Sequence, residues 1–350
     1  MNFATTILVA IATSLLIARQ PGLATENVGM RQITAHSKER GADLAVTVWY
    51  PAERGGKPVT LGESVFFIST PAMHDALVRH GKYPLILLSH GAGLAGNPEA
   101  LSWLATPLAE HGVIVAAPTH PGNSGPNRSA AETMKLWLRP QDITATLNAV
   151  SEDASFAGHI EPSRVGMLGL SMGGSTALAI AGARIDPQRL ASYCDTDMLN
   201  QSLCGWVRKS GVDLHAMDLR LAGRSNTDRR IRFAMAIDPA PVDVFDFSSF
   251  SGISIPVELV NLGMPGTIPR TTQAGEIAKA IPNARYSTIS DASHYSMFAE
   301  CKPGAAEIAE AEDIGDPICS DGAGRSRSEI HGQMIDMVVS AFDHALNQGR

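Results

Sequence analysis

The sequence predicts an α/β fold, a mostly parallel sheet with helices on both faces, on three observations. Short, mostly apolar runs recur at residues 85–88, 113–116, 165–168, 231–237 and 255–260, and a further strand-like run follows at 285–289. Runs of this kind belong to strands buried on both faces, as in parallel sheets. Helical patterns separate most of them, the βα alternation of such a sheet. The run at 165–168 also leads into Gly169-Leu-Ser-Met-Gly173 and then the small-residue stretch 174–182, a strand, a tight serine turn and a helix. With 350 residues and 44% hydrophobic content the chain can bury a sizeable core.

The elements follow in order. The stretch Ile7 to Ile17 is apolar, short for a bilayer span, and followed by Gly22-Leu23-Ala24 with small residues at −3 and −1. Residues 1–24 read as a signal peptide cut after Ala24, with a secreted or periplasmic protein as the consequence. The segment before it has no Lys or Arg, and an uncleaved anchor is the competing reading. Residues 32–37 and 44–50 suit antiparallel strands around a turn at Arg40-Gly41-Ala42-Asp43, which makes a leading hairpin. Helices are expected near 98–111, 140–153, 271–281 and 328–346, the last apolar at Ile330, Met334, Met337, Val338 and Phe342.

Two polar stretches break the rhythm. Residues 184–230 hold Cys194, Cys204 and Trp206 and are expected to form a cap or lid, while 301–324 is acidic and Gly-rich and reads as an ordered loop. Four cysteines in an exported chain form an even set, and of the three possible connectivities local pairing is expected, Cys194 with Cys204 and Cys301 with Cys319. Without a repeat or a low-complexity linker, residues 25–350 read as one domain with insertions.

The serine turn carries the chemistry. Glycines two before and two after Ser171 allow a turn so tight that its Oγ rises above the sheet end, with a helix N-terminus aimed at it. This is the nucleophile elbow of α/β-hydrolases, so the predicted fold is an α/β-hydrolase fold. The five-residue pattern alone is weak, and its strand and helix context carries the assignment.

A serine hydroxyl needs a positioned base, and in this fold the order is nucleophile, acid, histidine. His294 follows the run at 285–289 and fits; His331 and His344 fall on the last helix and read as packing or surface residues. Asp238 ends the run Phe233 to Ile237, at a strand edge where a crevice forms. The commoner acid position after the next strand reads Asn261-Leu-Gly-Met-Pro-Gly266 and offers no acid. Asp243 and Asp246 are substitutes for Asp238, and Asp291 reads as a turn residue. For the oxyanion, Met172 supplies one backbone N–H, and the loop Ser89-His-Gly-Ala-Gly93 supplies the other through Ala92.

Other classes fare worse. Gly91-Ala-Gly93-Leu-Ala-Gly96 spells a dinucleotide fingerprint, but the following strand ends Ala117-Pro118-Thr119-His120 without the acid that binds a ribose, and no cofactor is expected. No H-x-x-x-H or C-x-x-C spacing points to a metal. The net charge of −7 comes without a basic block, which argues against a nucleic-acid partner. Trp103, Trp137 and Trp206 are candidates for an apolar pocket wall or for packing.

Together Ser89-His-Gly-Ala-Gly93, Arg139-Pro-x-Asp142, Gly169-Leu-Ser-Met-Gly-Gly174, Ile237-Asp-Pro-Ala240 and Ser293-His-Tyr295 resemble the secreted bacterial dienelactone-hydrolase-like proteins, relatives of the platelet-activating-factor acetylhydrolases. The resemblance covers residues 32–345. It implies Ser171, Asp238 and His294 as the triad and Ala92 and Met172 as oxyanion donors. Dienelactone hydrolases proper use a cysteine where this chain has Ser171, so the resemblance does not carry lactone cleavage with it. Arg139 and Asp142 read as a helix start. The expected function is an exported serine hydrolase of small-molecule or lipid-like carboxylic esters, with no stable membrane span after signal cleavage. Acyl transfer or amide hydrolysis by the same triad, and a binding protein on a hydrolase scaffold, are the alternatives.

Overall fold

In the computed structural model, residues 27–347 are described apart from 124, 126 and 323; the expected signal peptide lies outside them. The first half runs β1 (Val28–Ser37), β2 (Ala42–Pro51), β3 (Lys57–Leu61), β4 (Thr70–His74), β5 (Tyr83–Ser89), α1 (Ser102–Glu110), β6 (Ile114–Pro118), α2 (Ala130–Thr133) and α3 (Arg139–Glu152). The second half runs β7 (Ile160–Leu170), α4 (Met172–Ala181), α5 (Pro187–Ala191), α6 (Gln201–Lys209), β8 (Phe233–Ile237), β9 (Val257–Leu262), α7 (Gly275–Ala280), β10 (Ala284–Ile289), α8 (Ala305–Ala311) and α9 (Arg327–Asn347).

All ten strands join one sheet in the order β10-β9-β8-β7-β5-β6-β2-β1-β4-β3. From β6 to β10 the pairings are parallel, and β2 runs antiparallel to both β6 and β1. The central parallel strands carry unbroken apolar runs, at 85–88, 114–117 and 233–237, because helices cover both faces, and successive residues feed opposite layers. Leu85 and Leu87 pack with α3 and α4, whereas Ile86 and Leu88 pack with α1 and α9. The chain passes from β5 to β6 on one side and then returns to β7 on the other, so a crevice opens at the carboxyl ends of β5 and β7.

The leading hairpin is longer than its apolar pattern, and Ser37 pairs with Ala42, so the turn spans 38–41 and not 40–43. Strands β3 and β4 have no counterpart in the sequence reading. They form the sheet edge, where Pro58 and Pro71 are tolerated and little alternation is required. The segment 301–324 is more than a loop, since it holds the short helix α8. The helix expected over 271–281 is split into a single 3-10 turn at Arg270–Thr272 and α7.

Residues 184–230 contain α5 and α6 and are stitched to the body. Leu190, Tyr193, Cys204, Val207, Leu214 and Ala222 are buried in the same apolar layer as α3 and α4. Disulfides join Cys194 to Cys204 and Cys301 to Cys319. Among the described residues no helix is long and apolar enough to cross a membrane.

Candidate active site

Between β7 and α4 the backbone folds back so sharply that Ser171 takes φ 53° and ψ −120°, a left-handed setting that a side-chain-bearing residue rarely adopts. The flanking glycines explain how this is possible. A Cβ on Gly169 would stand 1.9 Å from the Gly173 carbonyl oxygen, and one on Gly173 would stand 1.8 Å from that of Ser89. Backbone bonds pin the turn from the next strand, with Ser171 N donating to Ile237 O at 3.0 Å and Ala240 N to Ser171 O at 2.9 Å.

Ser171, His294 and Asp238, distant in sequence, form one hydrogen-bonded chain. Ser171 Oγ lies 3.1 Å from His294 Nε2, and His294 Nδ1 lies 2.6 Å from Asp238 Oδ2. Because the carboxylate accepts from Nδ1–H, the Nε2 lone pair faces the serine. His294 opens a 3-10 turn, His294–Met297, after β10, and Ser293 and Ser296 close a capping box around it. Asp238 is fully buried at the end of β8 with φ 46°.

The other oxygen of Asp238 is held by a residue the sequence reading passed over. Asn261 Nδ2 donates to Asp238 Oδ1 at 2.7 Å, and Leu262 N donates to the same atom at 2.9 Å. Asn261 also donates to Thr272 O and accepts from Ala274 N and Tyr286 Oη, so its amide is saturated. The end of β9 therefore supplies an amide to support an acid carried on β8. An asparagine within the apolar end Leu259-Val260-Asn261-Leu262 of a strand is the signal that could have found it, since such a group, once buried, must be paired.

The alternative acids lie elsewhere. Asp246 caps the 3-10 helix Phe247–Gly252 and pairs with Arg184. Asp291 is bound by Arg325 at 2.6 Å, and that hydrogen bonding holds its carboxyl below the usual range. Asp243 lines a cleft of about 450 Å³ with Asn261, Tyr286 and Phe245; neither Ser171 nor His294 lines it.

On the other flank of Ser171 runs the glycine loop after β5. A Cβ on Gly91 would touch Ser171 Cβ at 3.4 Å, so the loop backbone lies against the serine. Ala92 has extended backbone and precedes the 3-10 turn Gly93–Ala95. Met172 is the first residue of α4, where a backbone N–H has no intrahelical acceptor.

The histidine turn is anchored from behind. Trp103 Nε1 donates to Met297 O at 3.1 Å and His331 Nε2 to Ser296 O at 2.9 Å, and the two rings stack with centroids 3.6 Å apart. Burial pulls the His331 imidazole down to about 4, so the ring is neutral at physiological pH. The 301–324 segment holds the same turn, because Ser293 Oγ donates to Ser320 O and Ser296 Oγ to Asp321 Oδ1. Tyr295 Oη and Ser202 Oγ, the latter on α6, both donate to Asp316. Of the other tryptophans, Trp137 is buried in the core and Trp206 lies under the Arg128 guanidinium at 4.4 Å.

Residues 85–307 match the model of the alpha/beta hydrolase family. Among solved structures, a ferulic acid esterase from Streptomyces cinnamoneus is 18% identical, with 93% of this chain and 91% of that one aligned at a TM-score of 0.61. A dienelactone hydrolase from Anabaena variabilis is 12% identical over 91% of this chain and 99% of its own, at a TM-score of 0.49. No curated protein matches at the level of sequence. A family match spanning well over half the chain, on a sheet with this strand order, places the protein by descent: it belongs to the alpha/beta hydrolase family.

Proposed function

We propose that this protein is an exported serine hydrolase that cleaves carboxylic esters through an acyl-enzyme. The observation that carries the reading is the chain Ser171 Oγ, His294, Asp238, at 3.1 and 2.6 Å, set at the carboxyl edge of the sheet on a strained serine turn. Ser171 Oγ attacks the ester carbonyl carbon while its proton passes to His294 Nε2. The carbonyl π electrons move onto oxygen, and the Ala92 and Met172 N–H groups stabilise that oxyanion. Collapse expels the alcohol, which takes the proton from His294 and leaves the acyl group on Ser171. Water then attacks the acyl carbon, gives a proton to His294 and releases the acid, with the proton returning to Ser171. Asp238 orients the imidazole throughout and stabilises its cation.

The buried acid and the partly exposed histidine suit these roles, since only the group that exchanges protons with substrate has to reach the crevice. Export is supported by the apolar stretch 7–17 with its small-residue cleavage site and by two disulfides. A chain-length series of nitrophenyl esters, with fluorophosphonate labelling of Ser171, tests the reading. Hydrolysis and labelling that both vanish in Ser171→Ala are expected. A variant free of contaminating esterase that keeps more than about a thousandth of the turnover would remove Ser171 as nucleophile.

A further inference from the structure

Behind the glycine loop lies a second serine, histidine and aspartate in hydrogen-bonded order. Ser89 Oγ is 2.9 Å from His120 Nε2, and His120 Nδ1 is 2.8 Å from Asp142 Oδ2. None of the three is more than 1% exposed, so no substrate reaches them and they are no second active site. The set continues on both sides. Arg40 grips Asp142 with a fork at 2.8 Å, and Arg139 Nη2 donates to Ser89 Oγ at 3.2 Å.

The imidazole and hydroxyl protons of this set each have one place to be. Burial, then the charges of Arg139 and Arg40, drives the His120 imidazole far below its usual range, so it is neutral. Its Nδ1–H donates to the Asp142 carboxylate, which leaves Nε2 to accept from the Ser89 hydroxyl. Ser89 Oγ in turn accepts from Arg139. His90 is fixed as well, because its Nε2 accepts from His120 N at 3.0 Å and its Nδ1–H donates to Gly91 O at 2.8 Å.

Arg139 then joins the two halves of the site. On one side it binds Ser89 Oγ and the His90 carbonyl, which begin the loop that carries Ala92. On the other its Nε donates to Thr176 Oγ1 at 2.9 Å, and that hydroxyl donates to Met172 O at 3.1 Å in the first turn of α4. One rigid guanidinium thus spans the segments bearing both proposed oxyanion donors.

We infer that the buried chain Asp142, His120, Ser89, Arg139 is a positioning network that sets the spacing of the Ala92 and Met172 N–H groups and so acts on the transition state. The inference rests on the serine-hydrolase reading above. A network that only holds the fold would change how much protein is active; one that sets donor spacing changes turnover per active site. It also changes affinity for anything that mimics the tetrahedral adduct, while ground-state ester binding stays as it was.

The test compares Ser89→Ala and Arg139→Lys with the wild type, turnover being normalised to titrated active sites. Each is expected to lose about tenfold or more in kcat with KM held within about twofold, and to lose a like factor in affinity for a trifluoromethyl ketone that adds to Ser171. Wild-type kcat per titrated site in Ser89→Ala overturns the inference, whatever happens to yield or melting temperature. So does a loss of kcat with ketone affinity unchanged. Should Arg139→Lys fail to fold, Ser89→Ala decides alone, since it removes one hydroxyl. Ser171→Ala in the same assay keeps the two readings apart. Hydrolysis surviving there sinks the serine-hydrolase reading, whereas a dead Ser171→Ala beside a fully active Ser89→Ala sinks the positioning role only.

Discussion

The side-chain amide of Asn261 donates to Asp238 Oδ1 at 2.7 Å, from the strand beside the one that carries the acid. Asp238 thus has one oxygen for the histidine and one for the scaffold. Replacing Asn261 with Leu removes a hydrogen bond to a charged group, a loss of about 2 kcal/mol, and so is expected to lower kcat about 30-fold. Steady-state kinetics on a nitrophenyl ester checks this, and an unchanged kcat would show that the Leu262 N–H alone suffices to hold the acid.

Asparagine substitutions at the three candidate acids separate them cleanly. Asp238→Asn keeps the shape but favours the wrong imidazole tautomer, and turnover is expected to fall about 10⁴-fold. Asp243→Asn and Asp246→Asn should stay within about twofold, because neither carboxylate reaches His294. A normal rate in Asp238→Asn, or a collapse at either of the other two, transfers the role.

The two disulfides are expected to differ in effect. Each closes a short loop and contributes about 2–3 kcal/mol to stability. Cys301–Cys319 also braces Ser320 and Asp321, which bind the turn carrying His294. Cys301→Ser/Cys319→Ser should therefore lose turnover per folded molecule, while Cys194→Ser/Cys204→Ser mainly loses melting temperature. Equal kcat in the first double variant and the wild type would refute a role for that staple in holding His294.

His331 is expected to make the fold acid-sensitive. Its imidazole stands near 4 in the folded protein against about 6.5 when unfolded, so between these values the unfolded chain binds the extra proton. Stability contributed by the neutral ring is fully present above pH 6.5 and lost as pH falls toward 4, up to about 3 kcal/mol. Melting curves from pH 7 to 4 should show a smaller slope for His331→Gln than for the wild type. Parallel curves for the two proteins would remove His331 as the source.

Much of this architecture is legible in the chain because buried parallel strands and an elbow both leave local signatures. His294 is singled out by its place after the last strand and Ser171 by its flanking glycines, where a Cβ would come within 2 Å of backbone, and the structure sets the two side chains 3.1 Å apart. What escapes is whatever depends on which strands are neighbours. Asn261 supports Asp238 only because β9 pairs with β8, and His120 reaches Ser89 only because β6 lies beside β5. Edge strands such as β3 escape for a different reason, since a half-exposed pair containing proline has neither an apolar run nor alternation to betray it.

The Asp316 carboxylate, shared by Ser202 and Tyr295, has a consequence for recombination among hydrolases. Segments 184–230 and 301–324 meet on that one side chain, next to His294. A chimera that imports the first from a relative leaves Asp316 with half its partners, and one that imports the second leaves both hydroxyls facing a foreign surface. Crossovers that preserve turnover should therefore carry the two segments together as a single inherited block, though seventy residues lie between them in the chain.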